Sequence, residues 1–210
     1  MKAIIQTKYG LANEVLQLRE VENPVPKENE VLVEIYTTSL NAYDWRHLGP
    51  DPFMLRFMGG GLISPKHPIL GADVAGKVIE IGSKVTKFKP GDEIFSECSY
   101  GGLAEFVCIR EERCALKPAN ISFEEAAASP MAAITALQGL RDHGEVKPGQ
   151  EIMINGASGG VGTYAVQIAK YLGANVTAVC SHSKMELVRS IGADTVLDYN
   201  STDIIKLDKK

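Results

Sequence analysis

Apolar and polar positions alternate in short runs from residue 1 to about residue 120, as at Val31, Val33 and Ile35 and again at Val74, Val78, Ile79 and Ile81, with Gly and Pro between the runs. Short-period alternation marks strands that send side chains to two faces. The turns have their own signals: Lys89-Pro90-Gly91-Asp92 launches Glu93-Ile94-Phe95, and Gly101-Gly102 precedes the run 103–107. The pattern predicts a mostly β front domain over 1–120, most economically a twisted, partly open barrel.

After Asn120 the period lengthens. Ser122 and Glu125 have capping-box spacing, and Met131, Ile134, Leu137 and Leu140 recur at helical intervals up to Gly144, so a helix over 121–146 is expected to bridge two domains. Lys147-Pro148-Gly149 then opens a regular alternation: strand 151–155, helix 160–172, strand 175–180, helix 184–191 and strand 195–197. Apolar, unalternating strands in βαβαβ order predict a parallel sheet covered on both faces, the first half of a doubly wound fold over 147–210. In the common strand order of such folds, strand 151–155 becomes an exposed edge when the second half of the fold is absent.

The strongest chemical signal is the run from Asn155 to Gly162, Asn-Gly-Ala-Ser-Gly-Gly-Val-Gly, between that first strand and a helix whose inner stripe reads Val161, Ala165, Ile168, Ala169 and Leu172. In the G-x-G-x-x-G template the three places fall on Ala157, Gly159 and Gly162, with alanine in place of the first glycine. Small residues there permit a tight turn, and backbone N–H groups at the helix N-terminus, within the run Ala157, Ser158, Gly159, Gly160, Val161 and Gly162, suit a pyrophosphate. The end of the second strand selects the dinucleotide. An enzyme for NAD places Asp or Glu there for the ribose hydroxyls, whereas this chain reads Cys180-Ser181-His182-Ser183-Lys184. Ser181 and Lys184 offer a hydroxyl and an ammonium to a 2′-phosphate, which favours NADPH; the structural alternative has Ser183 capping the next helix with Glu186.

Composition narrows the class. With 45% hydrophobic and 23% charged residues the chain is typical of a globular protein, and a net charge of -4 argues against nucleic acid or an anionic membrane as partner. Neither a signal-peptide core nor a membrane-span-length apolar run is present, so a cytoplasmic location is expected. Cys98, Cys108, Cys114 and Cys180 lack CxxC spacing and read as reduced packing residues.

With these motifs in order, the chain resembles the medium-chain dehydrogenase/reductase superfamily, in its zinc-free quinone oxidoreductase (zeta-crystallin-like) branch. The resemblance rests on 41–45 (Asn-Ala-Tyr-Asp-Trp), 67–78 (His-Pro-Ile-Leu-Gly-Ala-Asp-Val-Ala-Gly-Lys-Val), 89–92 and 155–162. It implies an α/β protein: a GroES-like, partly open β-rich barrel followed by the first half of a Rossmann doubly wound parallel sheet. Zinc-using members carry a Cys near the Asn41 segment and Gly-His-Glu at the place of Gly71-Ala72-Asp73; both are missing here, as is a four-cysteine cluster for structural zinc. Hydride transfer from NADPH to a quinone or an α,β-unsaturated carbonyl fits a site without a Lewis acid.

The resemblance assigns Asn41 and Asp44 to the family's Asn-x-x-Asp at the nicotinamide-facing edge. Many quinone reductases place Tyr two residues after that Asp, where this chain has Arg46, assigned to orient the acceptor oxygen or the cofactor. Thr135 matches a residue beside the nicotinamide, and Tyr199 one near the 2′-phosphate. Each has a structural alternative: local backbone bonds for Asn41 and Thr135, an ion pair of Asp44 with Arg46, a half-buried ring at Tyr199. The hinge-rich, apolar stretch between 47 and 66 reads equally as a substrate lid or as a short helix followed by a loop. The chain stops at Lys210, where a fourth strand is expected, so it reads as C-terminally truncated, the parent being expected as a homodimer.

Overall fold

The computed structural model describes residues 1–49, 61–62 and 64–202. Most of the proposed lid, 50–60 and Ile63, lies outside the described residues. The chain forms two compact units, Met1–Met131 and Ala132–Lys210.

In the first unit, β1 (Lys2–Gln6) is followed by the single-turn α1 (Ala12–Val15) and by β2 (Leu16–Glu20), with which β1 forms an antiparallel pair. Next come β3 (Glu30–Ser39), α2 (Ala42–Leu48), β4 (Asp73–Ile81), β5 (Glu93–Glu97), β6 (Phe106–Arg110), β7 (Cys114–Leu116) and α3 (Phe123–Ala127). The larger sheet has the order β6-β3-β4-β5-β7, antiparallel throughout. Its outer strands β6 and β7 do not pair, so the barrel stays partly open, as the alternation predicts. Val31 and Val33 of β3, Val74 and Val78 of β4 and Ile94 of β5 are almost wholly buried on the inner face, each such side chain worth about 1.5–3 kcal/mol when taken from water. Register shifts between β3 and β4 near Leu32 and Ile35 bend the long strands.

The bridging segment departs from a single helix. The Ser122–Glu125 capping box forms, with the Glu125 amide donating to Ser122 Oγ at 3.2 Å and the Ser122 amide to Glu125 Oε2 at 2.8 Å. α3 nevertheless stops at Ala127, and α4 (Pro130–Leu137) begins anew before a π-helical turn, Gln138–His143. Pro130 is the cause: its ring lacks an N–H and drives the preceding residue out of the helical region. The buried positions of α4 are Pro130, Ala132 and Ala136, whereas Ile134 of the expected stripe is 46% exposed.

In the second unit, β8 (Glu151–Asn155), α5 (Gly160–Tyr171), β9 (Asn175–Cys180), α6 (Met185–Ser190) and β10 (Thr195–Asp198) follow the predicted order, and the three strands form a parallel sheet, β10-β9-β8. Both crossovers step the same way, and right-handed connections place α5 and α6 on one face. On the other face, Met153 of the edge strand β8 is 48% exposed. The buried stripe of α5 is Gly162, Ala165, Val166 and Ala169, not the one expected from Val161, which is 42% exposed. The interior turns toward Val176 and Ala178 of β9 and Val188 of α6; Ala165, Ala169 and the partly buried Ile168 of the expected stripe pack there, with Gly162 and Val166 added and Val161 left outside.

Candidate functional site

The site residues lie in two groups, one in each unit. In the second unit, the chain leaves β8 and turns at Gly156, whose φ of +70° belongs to the left-handed region. The Ala157 amide bonds to the Val179 carbonyl at 3.0 Å and the Gly159 amide to the Gly156 carbonyl at 3.0 Å, so the turn is anchored to the neighbouring strand and closed on itself. α5 starts immediately afterwards, with Gly159 as N-cap, no side-chain cap and no acidic residue in its first turn. The first amides of an α-helix have no intrahelical acceptor and carry the positive end of its dipole. The turn thus presents the amides of Gly160, Val161 and Gly162 for an anion, while Ala157, fully buried, packs beneath.

Ser181 caps a 3-10 turn, His182–Lys184, its carbonyl accepting from the Lys184 amide at 3.0 Å. Ser181 Oγ lies 3.4 Å from Ser183 Oγ. Ser183 does not cap the following helix: Lys184 is the N-cap of α6 and no side chain bonds there, because the 3-10 turn has already consumed the Ser183 position. Lys184 is exposed, with no ion pair among the described residues. The Tyr199 amide donates to the Cys180 carbonyl at 3.3 Å, which brings the half-exposed ring to the same C-terminal edge of the sheet as the 181–184 turn. Sequence reasoning missed Asp198 there, 3.8 Å from His182 Nδ1 and held by the Asn200 amide at 2.9 Å. Thr135 lies on the exposed side of α4.

In the first unit, Asn41 precedes α2 and Asp44 sits in its first turn. Asp44 is 5% exposed; its Oδ2 accepts from the Asn41 amide at 2.7 Å and its Oδ1 from the Gly71 amide at 3.0 Å. These two amides, rather than Arg46, are its partners. Arg46 is exposed, its guanidinium 5.6 Å from the Trp45 ring centroid. The Asn41 carboxamide donates to Ser39 Oγ at 3.2 Å and to Asp73 Oδ2 at 3.1 Å. An apolar hollow of about 460 Å³, lined by Leu16, Leu40, Trp45, Leu48 and Leu103, opens beside Asn41 and Asp44.

Two features escaped the sequence. Asp73 is fully buried, and burial raises its carboxyl to about 6 against the lowering effect of bonds from Met131 and Asn41. Tyr43 and His47, one helical turn apart, gather with Tyr100 and His67 in a ring cluster, the His67 and Tyr100 centroids 4.3 Å apart and stacked. The Tyr43 phenol is raised, first by burial and then by Tyr100, and His67 is lowered, first by burial and then by the Lys66 charge. The i, i+4 spacing of Tyr43 and His47 was the only local signal for this cluster. Among the described residues no three His, Cys, Asp or Glu side chains gather as a metal site. No helix among them is long and apolar enough to cross a membrane.

Residues 27–119 match the alcohol dehydrogenase GroES-like domain and residues 160–210 the zinc-binding dehydrogenase domain. The chain is 40% identical to a chloroplast envelope quinone oxidoreductase homolog of Arabidopsis thaliana over 97% of this chain and 62% of that protein. It is 37% identical to a 2-methylene-furan-3-one reductase of Solanum lycopersicum, over 100% of this chain and 55% of that protein. The structure of Escherichia coli quinone oxidoreductase complexed with NADPH superimposes with a TM-score of 0.84 at 32% identity, covering 98% of this chain and 60% of that one. The chain therefore spans 55 to 62% of the length of these curated relatives. An antiparallel GroES-like sheet, a Rossmann-type βαβαβ half and the matches along both place the chain in the medium-chain dehydrogenase/reductase superfamily, in its quinone oxidoreductase branch.

Proposed function

We propose that this chain binds NADPH at the turn between β8 and α5, and that the protein it represents reduces quinones or other conjugated carbonyl acceptors. The observation that carries the reading is the uncapped start of α5, where a glycine pressed against the turn keeps the amides open to a diphosphate. The turn fits such a group: a Cβ at Gly160 would meet nothing within 4 Å, so nothing crowds the first residue of α5 on that side. Ser158, Gly159, Gly160, Val161 and Gly162 hold the diphosphate, and Ser181, Lys184 and Tyr199 receive the 2′-phosphate. Bound NADPH supplies a hydride, and a proton from water completes the two-electron reduction of the acceptor.

In the first unit the Asn41–Asp44 edge positions the acceptor and Arg46 steers its oxygen by charge, and in the second unit Thr135 is a nicotinamide contact. The apolar hollow beside Asn41 suits a flat, poorly hydrated acceptor. The zinc-independent reading is supported by the donor set: the Asn41 carboxamide is committed to Asp73 and Ser39, and Ala72 has no ligand to offer. A cytoplasmic setting suits the four free thiols.

The test is oxidation of NADPH by the purified protein across a panel of quinones, enals and simple ketones. Turnover of the conjugated acceptors alone, insensitive to chelators, is the expected result. Tight NADPH binding with no turnover of any acceptor selects a non-catalytic binding role instead.

A further inference from the structure

Asp73 opens β4, fully buried, and one carboxylate gathers three segments far apart in sequence. Its Oδ2 accepts from Asn41 Nδ2 at 3.1 Å, from Ser39 Oγ at 3.4 Å and from the Met131 amide at 3.1 Å, and its Oδ1 lies 3.2 Å from that same amide. Met131 follows Pro130 at the start of α4, where the first amides of a helix take acceptors from outside it. Asn41 has a second acceptor in Ser39 Oγ at 3.2 Å, so both hydrogens of its nitrogen are committed. A planar carboxamide pinned at the nitrogen has one orientation left: its Oδ1 faces the Asp44 amide at the start of α2 and keeps a second lone pair as the acceptor it can offer a ligand.

We infer that Asp73 is a positioning residue for the reaction: it fixes the Asn41 carboxamide with its nitrogen inward, and it anchors the first turn of α4 on the same carboxylate. The inference rests on the reading of Asn41 as part of the reacting edge. An ionised carboxylate serves it best, because three hydrogens, one each from Asn41, Ser39 and Met131, converge on the two oxygens and neither oxygen then carries a hydrogen of its own. A protonated acid or an amide turns one of those oxygens into a donor and sets it against the Met131 N–H or the Asn41 NH2. The charged groups facing Asp73 are few. Glu97, its register partner on β5, raises the carboxyl and is itself engaged by Arg113 at 3.5 Å, while Cys98 at the end of β5 is a thiol pushed up to about 12 by burial. Ser39, Asn41 and Met131 present uncharged donors.

The experiment has two arms on the full chain. In the first, the side-chain amide resonances of Asn41, identified by their loss in Asn41→Ala, are followed by nitrogen-15 NMR through a pH titration. They should shift with a midpoint near the Asp73 value of about 6 and stop titrating in Asp73→Asn. In the second, Asp73→Asn should lower kcat for acceptor reduction by about 10–100-fold, the scale of a displaced reacting group, while the KM for NADPH stays put. Asn41→Ala should give a loss of similar size, and the double variant should lose no more than either single one. Asn41 resonances that ignore Asp73, or strictly additive losses, overturn the inference. Should Asp73→Asn fail to fold, the wild-type titration and the Asn41→Ala kinetics still decide it. A wild-type protein that turns over no acceptor fails the functional reading, and is told apart because the NMR titration persists.

Discussion

Gly162 sits against the Gly156 carbonyl so closely that a Cβ at 162 would run into that oxygen and lie 2.7 Å from the Ala157 Cα. Helix α5 and the turn before it therefore touch backbone to backbone, which holds the helix N-terminus over the end of β8. Gly160, two residues earlier, has open space where its Cβ would go.

The contrast separates packing from binding. Gly162→Ala should destabilise the protein by about 1–3 kcal/mol, because backbone atoms must shift to admit the methyl group. Gly160→Ala should leave thermal stability essentially unchanged and still weaken NADPH, since it adds a methyl group at the residue whose amide meets the diphosphate. Thermal melts with NADPH titrations check both, and equal loss of stability in the two variants would contradict the turn geometry.

Lys184 is exposed and outside any ion pair among the described residues, so its ammonium is available to a phosphate. A charge-assisted bond of about 1.5–3 kcal/mol predicts that Lys184→Ala weakens NADPH by about tenfold or more, with NADH affected far less. Calorimetric titration with both dinucleotides measures the difference, and equal weakening would discard the phosphate assignment.

Asp44, 5% exposed, accepts the amides of Asn41 and Gly71. Asp44→Ala leaves both without their partner and loses the cap of α2, a combined cost of about 2–4 kcal/mol. Urea unfolding should show the midpoint falling with little change in slope. A near-neutral result would mean that water or a neighbouring side chain replaces the carboxylate.

Asp73 makes stability depend on pH in a defined direction. Its folded-state value of about 6 lies above the ordinary carboxylate value, so its stabilising contribution is complete below about pH 4 and is lost as pH rises through about 6. The full difference is about 3 kcal/mol. Asp73→Asn lacks that slope. The stability of the wild type relative to the variant should therefore shrink by about 2 kcal/mol between about pH 4.5 and about pH 7.5 in chemical unfolding. Parallel stability curves would show that Asp73 does not ionise in this range.

Much of the second unit was legible from local pattern. The apolar runs at 151–155 and 175–180 coincide with β8 and β9, and the Ser122–Glu125 box forms as its spacing implies, because each depends on residues within one turn or one strand. The errors arose where a competing local or tertiary effect intervened. Pro130 divided the bridging helix, and the 3-10 turn at 182–184 took Ser183 out of the capping position. On α5 the choice between two overlapping stripes, one with Val161 outward and one with it inward, was made by where Val176, Ala178 and Val188 stand. The residue identities at the proposed site were readable, yet the partners of Asn41 and Asp44 were not: the alternatives of an Asp44–Arg46 pair and of local backbone bonds were indistinguishable by spacing.

The amino-acid sequence by itself determined the order of elements, the glycine turn at a helix start and the absence of an acid after the second strand, all set by neighbours a few residues apart. Only the tertiary structure decided that Asp73 binds Asn41, 32 residues earlier, and Met131, 58 residues later, and that Asp44 holds Gly71 across 27 residues. A buried carboxylate takes the donors that packing brings to it, and which donors those are is a property of the sheet's register rather than of any stretch of chain.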